Sequence, residues 1–202
     1  MIGKWNRSVF LTYLGMIAAV FGMFLAFRVD NVNYAYACLM IAGVCDLFDG
    51  AIARRVKRNE EEKAFGVQLD SLVDVISFVA LPITVFVASG LTSFWYMPVY
   101  ALFAISGIAR LAYFNIMTAD SEAPIKFYTG LPVTYSALIF PVVNLVKYVA
   151  DDMVYKIVMV TAILVVALLG VLRINIIKPK GIAYVFFGLL AIGMLALYLV
   201  IL

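Results

Sequence analysis

The sequence predicts an all-α fold, a polytopic bundle of about seven transmembrane helices, on three observations. Of 202 residues, 66% are hydrophobic and only 13% charged, and the mean hydropathy is +1.07. A soluble domain is nearer half apolar and a quarter charged. A chain this short has no core large enough to take the excess, so lipid is its solvent. Second, apolar stretches of about 20 residues, the length that crosses the hydrocarbon, recur from end to end. Third, the basic residues between them fall on alternate loops.

The first span is Ser8–Phe27. Lys4 and Arg7 precede it, and no short apolar core with a small-residue cleavage site stands there, so it reads as a retained span rather than a removable signal. The second, Tyr34–Arg54, holds both cysteines, Cys38 and Cys45. Two turns apart on one helix, they cannot form a disulfide with each other and read as apolar filler. Gly66–Gly90, Trp95–Asn115, Thr129–Val149, Met153–Leu172 and Ile182–Leu202 follow. With no repeat, low-complexity tract or composition break, residues 1–202 read as one integral membrane domain.

Lys and Arg placement sets the orientation. With the N-terminus in the cytoplasm, the inner segments hold twelve: Lys4, Arg7, Arg54, Arg55, Lys57, Arg58, Lys63, Arg110, Lys126, Arg173, Lys178 and Lys180. The outer segments hold three: Arg28, Lys147 and Lys156. A miscounted span would break this alternation. The inner bases are topology signals that would also attract anionic lipid, and no nucleic-acid partner is expected.

The first and the last two spans are cleanly apolar; the second and third carry acids. Asp46 and Asp49 are three apart, and Asp70 and Asp74 four apart. On a helix either spacing places the pair on one face. A carboxylate in a bilayer costs about 2.5–3.5 kcal/mol, so four cost on the order of 10 kcal/mol, and Arg54 cannot offset them alone. The chain has no histidine, which removes the commonest transition-metal ligand. Clustered carboxylates are hard oxygen donors suited to magnesium, manganese or calcium. Two other readings are an ion-pair network in which the acids cap helices, and a cation path. A transporter would spread acids through the bilayer depth, whereas these gather near one face. Gly50, Ala53 and Gly66 clear space beside the acids for a ligand, or for close helix packing.

Together these residues spell Asp46-x2-Asp49-Gly50-x2-Ala53-Arg54, then Gly66-x3-Asp70-x3-Asp74. This closely resembles the signature of the CDP-alcohol phosphotransferase family, and spans one to six resemble its six-helix core, leaving one further C-terminal span. Eleven residues separate Arg54 from Gly66, more than in the family's common form, so a longer helix end or loop is expected there. The resemblance implies that Asp46, Asp49, Asp70 and Asp74 hold two divalent cations, Mg2+ or Mn2+, that bridge a CDP diphosphate. It implies that Asp74 is also the base that deprotonates the acceptor hydroxyl. It assigns Gly50, Ala53 and Gly66 to the cytidine pocket and Arg54 to the CDP moiety, and it implies a homodimer.

Within the family, the stretch Leu69–Phe78, Arg110–Asn115 and Tyr128–Thr134 resemble phosphatidylserine synthases. The resemblance implies transfer of a phosphatidyl group from CDP-diacylglycerol, or its ether counterpart, to L-serine, with release of CMP. The same chemistry with glycerol phosphate or inositol phosphate is the alternative. For serine, Arg110 suits the carboxylate because it can grip it with two parallel bonds; snorkelling to lipid head groups is its other reading. Asn115, Thr129 and Thr134 offer polar contacts and Lys126 a partner for lipid phosphate. The localisation expected is the cell membrane, with the site facing the cytoplasm.

Overall fold

The structure is a computed structural model and describes residues 3, 4, 6, 9–28, 31–119, 127–177 and 182–201. Among the described residues, seven helical bodies stand along the seven apolar stretches of the sequence. Those at Phe10–Arg28, Glu60–Ala88, Phe94–Thr118 and Asp152–Val171 are long and apolar enough to cross a membrane, and Val133–Tyr148 and Phe186–Val200 are shorter apolar helices. The remaining body carries the acids and bases of the motif, which lower its hydropathy.

Helices α1 (Phe10–Arg28) and α2 (Asn33–Arg55) form an extensive interface. Its basis is a stripe of small residues on α1, namely Thr12, Gly15, Ala19, Gly22 and Ala26, all buried. Small side chains let helix backbones approach closely in lipid, where no hydrophobic drive joins helices. A Cβ at Gly22 would lie 2.7 Å from the Cβ of Cys38, and one at Gly15 would lie 3.2 Å from that of Cys45. The two cysteines are thus the opposing half of an antiparallel packing seam, and both are free thiols. Phe10, Ile17, Phe21 and Phe24 cover the other face of α1 and are exposed, as suits a surface whose solvent is lipid.

The extra residues before Gly66 lengthen α3 (Glu60–Val75) at its start. Asn59 caps it: its side chain accepts from the Glu62 amide at 2.8 Å, and the Glu62 carboxylate accepts from the Asn59 amide at 2.9 Å. This is a reciprocal capping box, and three glutamates in the first turn favour the positive end of the helix. Lys4 reaches Glu61 at 2.7 Å, and that carboxylate raises the lysine's pKa above its ordinary value. After Val75 the helix widens into a π turn, Ile76–Ala80, before α4 (Leu81–Ala88). Such a turn frees backbone groups that need partners in a membrane. Ser136 supplies one by donating its hydroxyl to the Phe78 carbonyl at 3.2 Å.

A short turn at Phe94–Tyr96 leads into α5 (Met97–Ala119). Phe94 and Trp95 there are 83% and 84% exposed, a placement typical of interfacial aromatics. Helices α6 (Ser136–Asn144), α7 (Asp152–Val171) and α8 (Ile182–Ala196) complete the bundle. One feature departs from the all-helical expectation. Strand β1 (Phe127–Thr129) pairs antiparallel with β2 (Asn175–Ile177), Thr129 opposite Asn175. This ribbon joins the segments that precede α6 and follow α7. Gly130, at φ +74°, turns the chain away from β1. Its amide donates to Ile174 O, and the next amide, of Leu131, donates to Leu169 O, both at 2.9 Å.

At the far end of α2 from the acids, buried polar groups pin the last helix. Tyr198 donates to the Pro141 carbonyl at 2.6 Å, and Asn144 bonds both Tyr198 and Tyr155. The final span is therefore tied to the bundle through α6.

Candidate active site

A cavity of about 400 Å³ opens between α2, α3, α5, α6 and α8. Asp46, Asp49, Asp70 and Asp74 line it, as do Gly50, Arg110, Asn115 and Thr134. Residues from helices far apart in sequence thus meet at one place. Val44, Leu47, Leu138, Phe187 and Ala191 add apolar surface to its lining.

The helices bring all four acids to this cavity and three of them close together. Asp46, Asp49 and Asp70 each present a carboxylate oxygen within 4.8 Å of the others. Oxygen ligands of a Mg2+, Mn2+ or Ca2+ ion lie about 2.0–2.6 Å from it, so opposed ligands stand about 4–5 Å apart. Three carboxylates at this separation, with no histidine in the chain, fit a hard divalent cation. Asp74 lies deeper, 7% exposed, and contacts Asp46 through its side chain. It borders the three rather than completing their closest set.

Arg110 is 7% exposed, so it points into the bundle and does not snorkel. Its guanidinium sits 4.9 Å from the centre of the Phe114 ring, a cation–π contact that fixes the side chain. It is near enough to act electrostatically on both Asp46 and Asp74. Asn115 is held across the cavity by Ser71: its amide donates to the Ser71 hydroxyl at 2.8 Å, which links α5 to α3. Thr134, in the turn before α6, offers its hydroxyl to Asp46.

Other expected site residues stand elsewhere. Ala53 and Gly66 are half-buried but do not line the cavity; a Cβ at Gly66 would lie 3.4 Å from an Arg58 guanidinium nitrogen. Thr129 belongs to the β ribbon. Lys126 and the Arg54 side chain lie outside what is described.

Three contributors have no signal in the sequence. Thr12 of α1 donates its hydroxyl to Asp49 Oδ2 at 2.9 Å, yet reads as one polar residue in an apolar span. Phe187 and Ala191 bring α8 to the cavity wall, yet nothing separates them from other lipid-facing apolar residues.

Comparison with known proteins agrees with this geometry. The chain is 34% identical over 110 residues to an archaetidylserine synthase of Methanothermobacter thermautotrophicus, covering 54% of this chain and 45% of that protein. It is 34% identical over 122 residues to a CDP-diacylglycerol–serine O-phosphatidyltransferase of Helicobacter pylori, covering 58% and 49%. A protein of the same name from Saccharomyces cerevisiae is 33% identical over 100 residues, covering 46% and 35%. The chain thus spans about half or less of the length of the relatives it matches. A sequence model described as CDP-alcohol phosphatidyltransferase matches residues 5–202. With nearly the whole chain inside that match, this integral membrane protein belongs to the CDP-alcohol phosphatidyltransferase family.

Proposed function

We propose that the chain transfers the phosphatidyl group of CDP-diacylglycerol, or an ether-lipid counterpart, to L-serine, giving phosphatidylserine or its ether analogue and CMP. The observation that carries this reading is the meeting of three mutually close carboxylates with a buried arginine in one cavity that also has apolar lining. Such a cavity offers a place for a diphosphate, an amino-acid carboxylate and a lipid in a single chamber. The names of the relatives favour serine over other alcohols.

Asp46, Asp49 and Asp70, with Asp74 beside them, would hold two divalent cations, Mg2+ or Mn2+. Those ions supply charge neutralisation for the diphosphate and for the leaving phosphate. The seryl oxygen forms a bond to the lipid-linked phosphorus while the bond from that phosphorus to the CMP oxygen breaks. The seryl proton passes to a carboxylate oxygen of Asp74. Arg110 grips the serine carboxylate, with its position set by Phe114. Asn115 and Thr134 flank the acceptor, Gly50 leaves room for the nucleotide, and Val44, Leu47 and Leu138 face the acyl chains. Ala53, Gly66 and Arg54 are assigned to the CDP moiety, as the resemblance implies, with Thr129 assigned to the serine and Lys126 to lipid phosphate.

The orientation proposed has the N-terminus and the site on the cytoplasmic side of the cell membrane, supported by the distribution of basic residues. The assembly proposed is a homodimer, as the resemblance implies; crosslinking in native membranes tests it. The reaction is tested by supplying purified protein with CDP-diacylglycerol and Mn2+ or Mg2+, together with labelled serine, glycerol phosphate or inositol phosphate. Labelled lipid should form from serine alone. Product from another alcohol in preference to serine reassigns the acceptor.

A further inference from the structure

We propose that Thr12 is a positioning residue of the metal centre, acting through Asp49; this rests on the metal reading above. Three observations place it. The Thr12 hydroxyl lies 2.9 Å from Asp49 Oδ2, and both residues are buried, at 7% and 9% exposed. The contact crosses helices, joining residues 37 apart in sequence, so it does not follow from local chain geometry. It also continues the seam in which Gly22 meets Cys38 and Gly15 meets Cys45: one turn further along α1 and one turn further along α2, Thr12 meets Asp49. Close backbone approach at the two glycines thus fixes the height and rotation at which the hydroxyl is delivered.

The physical role follows from the donor. A hydroxyl is neutral, so it orients a carboxylate without cancelling the charge that draws a cation. It fills one of about four lone-pair sites on the carboxylate and leaves the rest for other partners. Without it, Asp49 rotates more freely about its side-chain torsions, and three oxygens are held at their mutual spacing less of the time. Partners that orient ligands in this way change metal affinity by about 10–100-fold when removed.

The test is Mn2+ binding to purified full-length protein, read as free Mn2+ by electron paramagnetic resonance, without substrate. Thr12→Val matches the shape but lacks the donor; Thr12→Ala is a second variant should valine disturb the seam; Thr12→Ser restores the donor. The valine and alanine proteins should bind Mn2+ about tenfold more weakly, and the serine protein within about twofold of the parent. In an Asp49→Asn background, which keeps Asp46, Asp70 and Asp74, Thr12→Val should add no further loss. Equal affinity in all Thr12 variants overturns the proposal. So does a loss that persists undiminished in the Asp49→Asn background, which assigns Thr12 to helix packing alone. If the parent protein itself binds no Mn2+, the metal reading fails and this inference with it, so the two failures are told apart by the parent.

Discussion

At the scale of single residues, the acids are distinguished by what surrounds them. Asp46, Asp49 and Asp70 present oxygens to one another at a spacing suited to a shared cation, an arrangement that like charges in a membrane do not adopt without positive charge between them. Replacing any one by asparagine removes a ligand charge and keeps the shape. Turnover in Asp46→Asn, Asp49→Asn and Asp70→Asn should fall by about a hundredfold or more, with membrane insertion unchanged in extraction and immunoblot assays. Near-parental turnover in one variant takes that residue out of the metal site. Arg110 is the residue proposed to hold the serine carboxylate. Losing hydrogen bonds to a charged group costs about 1.5–3 kcal/mol, so Arg110→Ala should raise the serine KM by about ten- to a hundredfold, with little change for the lipid. An unchanged serine KM rejects the carboxylate role.

At the scale of elements, the bundle depends on close approach at few points. Gly130 has φ +74°, and a Cβ there would collide with the carbonyl of Gly170. Both the backbone conformation and the space exclude a side chain. Gly130→Ala should lower the thermal unfolding temperature in detergent by several degrees, for a cost of about 1–3 kcal/mol, and should weaken turnover because the same turn delivers Pro132 and Thr134 to the cavity. An unchanged unfolding temperature would show that the turn relaxes. This scale also shows what sequence reading reaches. The Asp46–Asp49 and Asp70–Asp74 spacings are properties of one helix each, so their shared faces were legible. The seven apolar stretches were legible because length and hydropathy set them. The Thr12–Asp49 bond, the Ser136–Phe78 bond at the π turn and the β1–β2 pairing join segments 37 to 58 or so residues apart. Their registers follow from tertiary packing, which no local spacing encodes.

At the scale of the whole molecule, the acids sit toward one end of the bundle, and the Tyr36, Asn144, Tyr155 and Tyr198 group toward the other. The orientation proposed from the basic loops puts the acidic end in the cytoplasm. Single cysteines at Lys57 and Lys147, in a protein whose own two cysteines are buried, should react with a membrane-impermeant maleimide from opposite sides of sealed vesicles. Labelling of both from one side overturns the topology. The apolar lining is equally a whole-molecule property: α8 brings Phe187 and Ala191 to the cavity, and Tyr198 beyond it donates to the Pro141 carbonyl of α6, a link invisible in a uniformly apolar stretch. The account as a whole stands on divalent cations among the carboxylates. Crystals of the protein soaked in Mn2+ test this most directly. Anomalous difference density should appear among Asp46, Asp49 and Asp70, about 2.2 Å from their oxygens. Manganese density elsewhere, with these carboxylates turned away from one another around no ion, would contradict it.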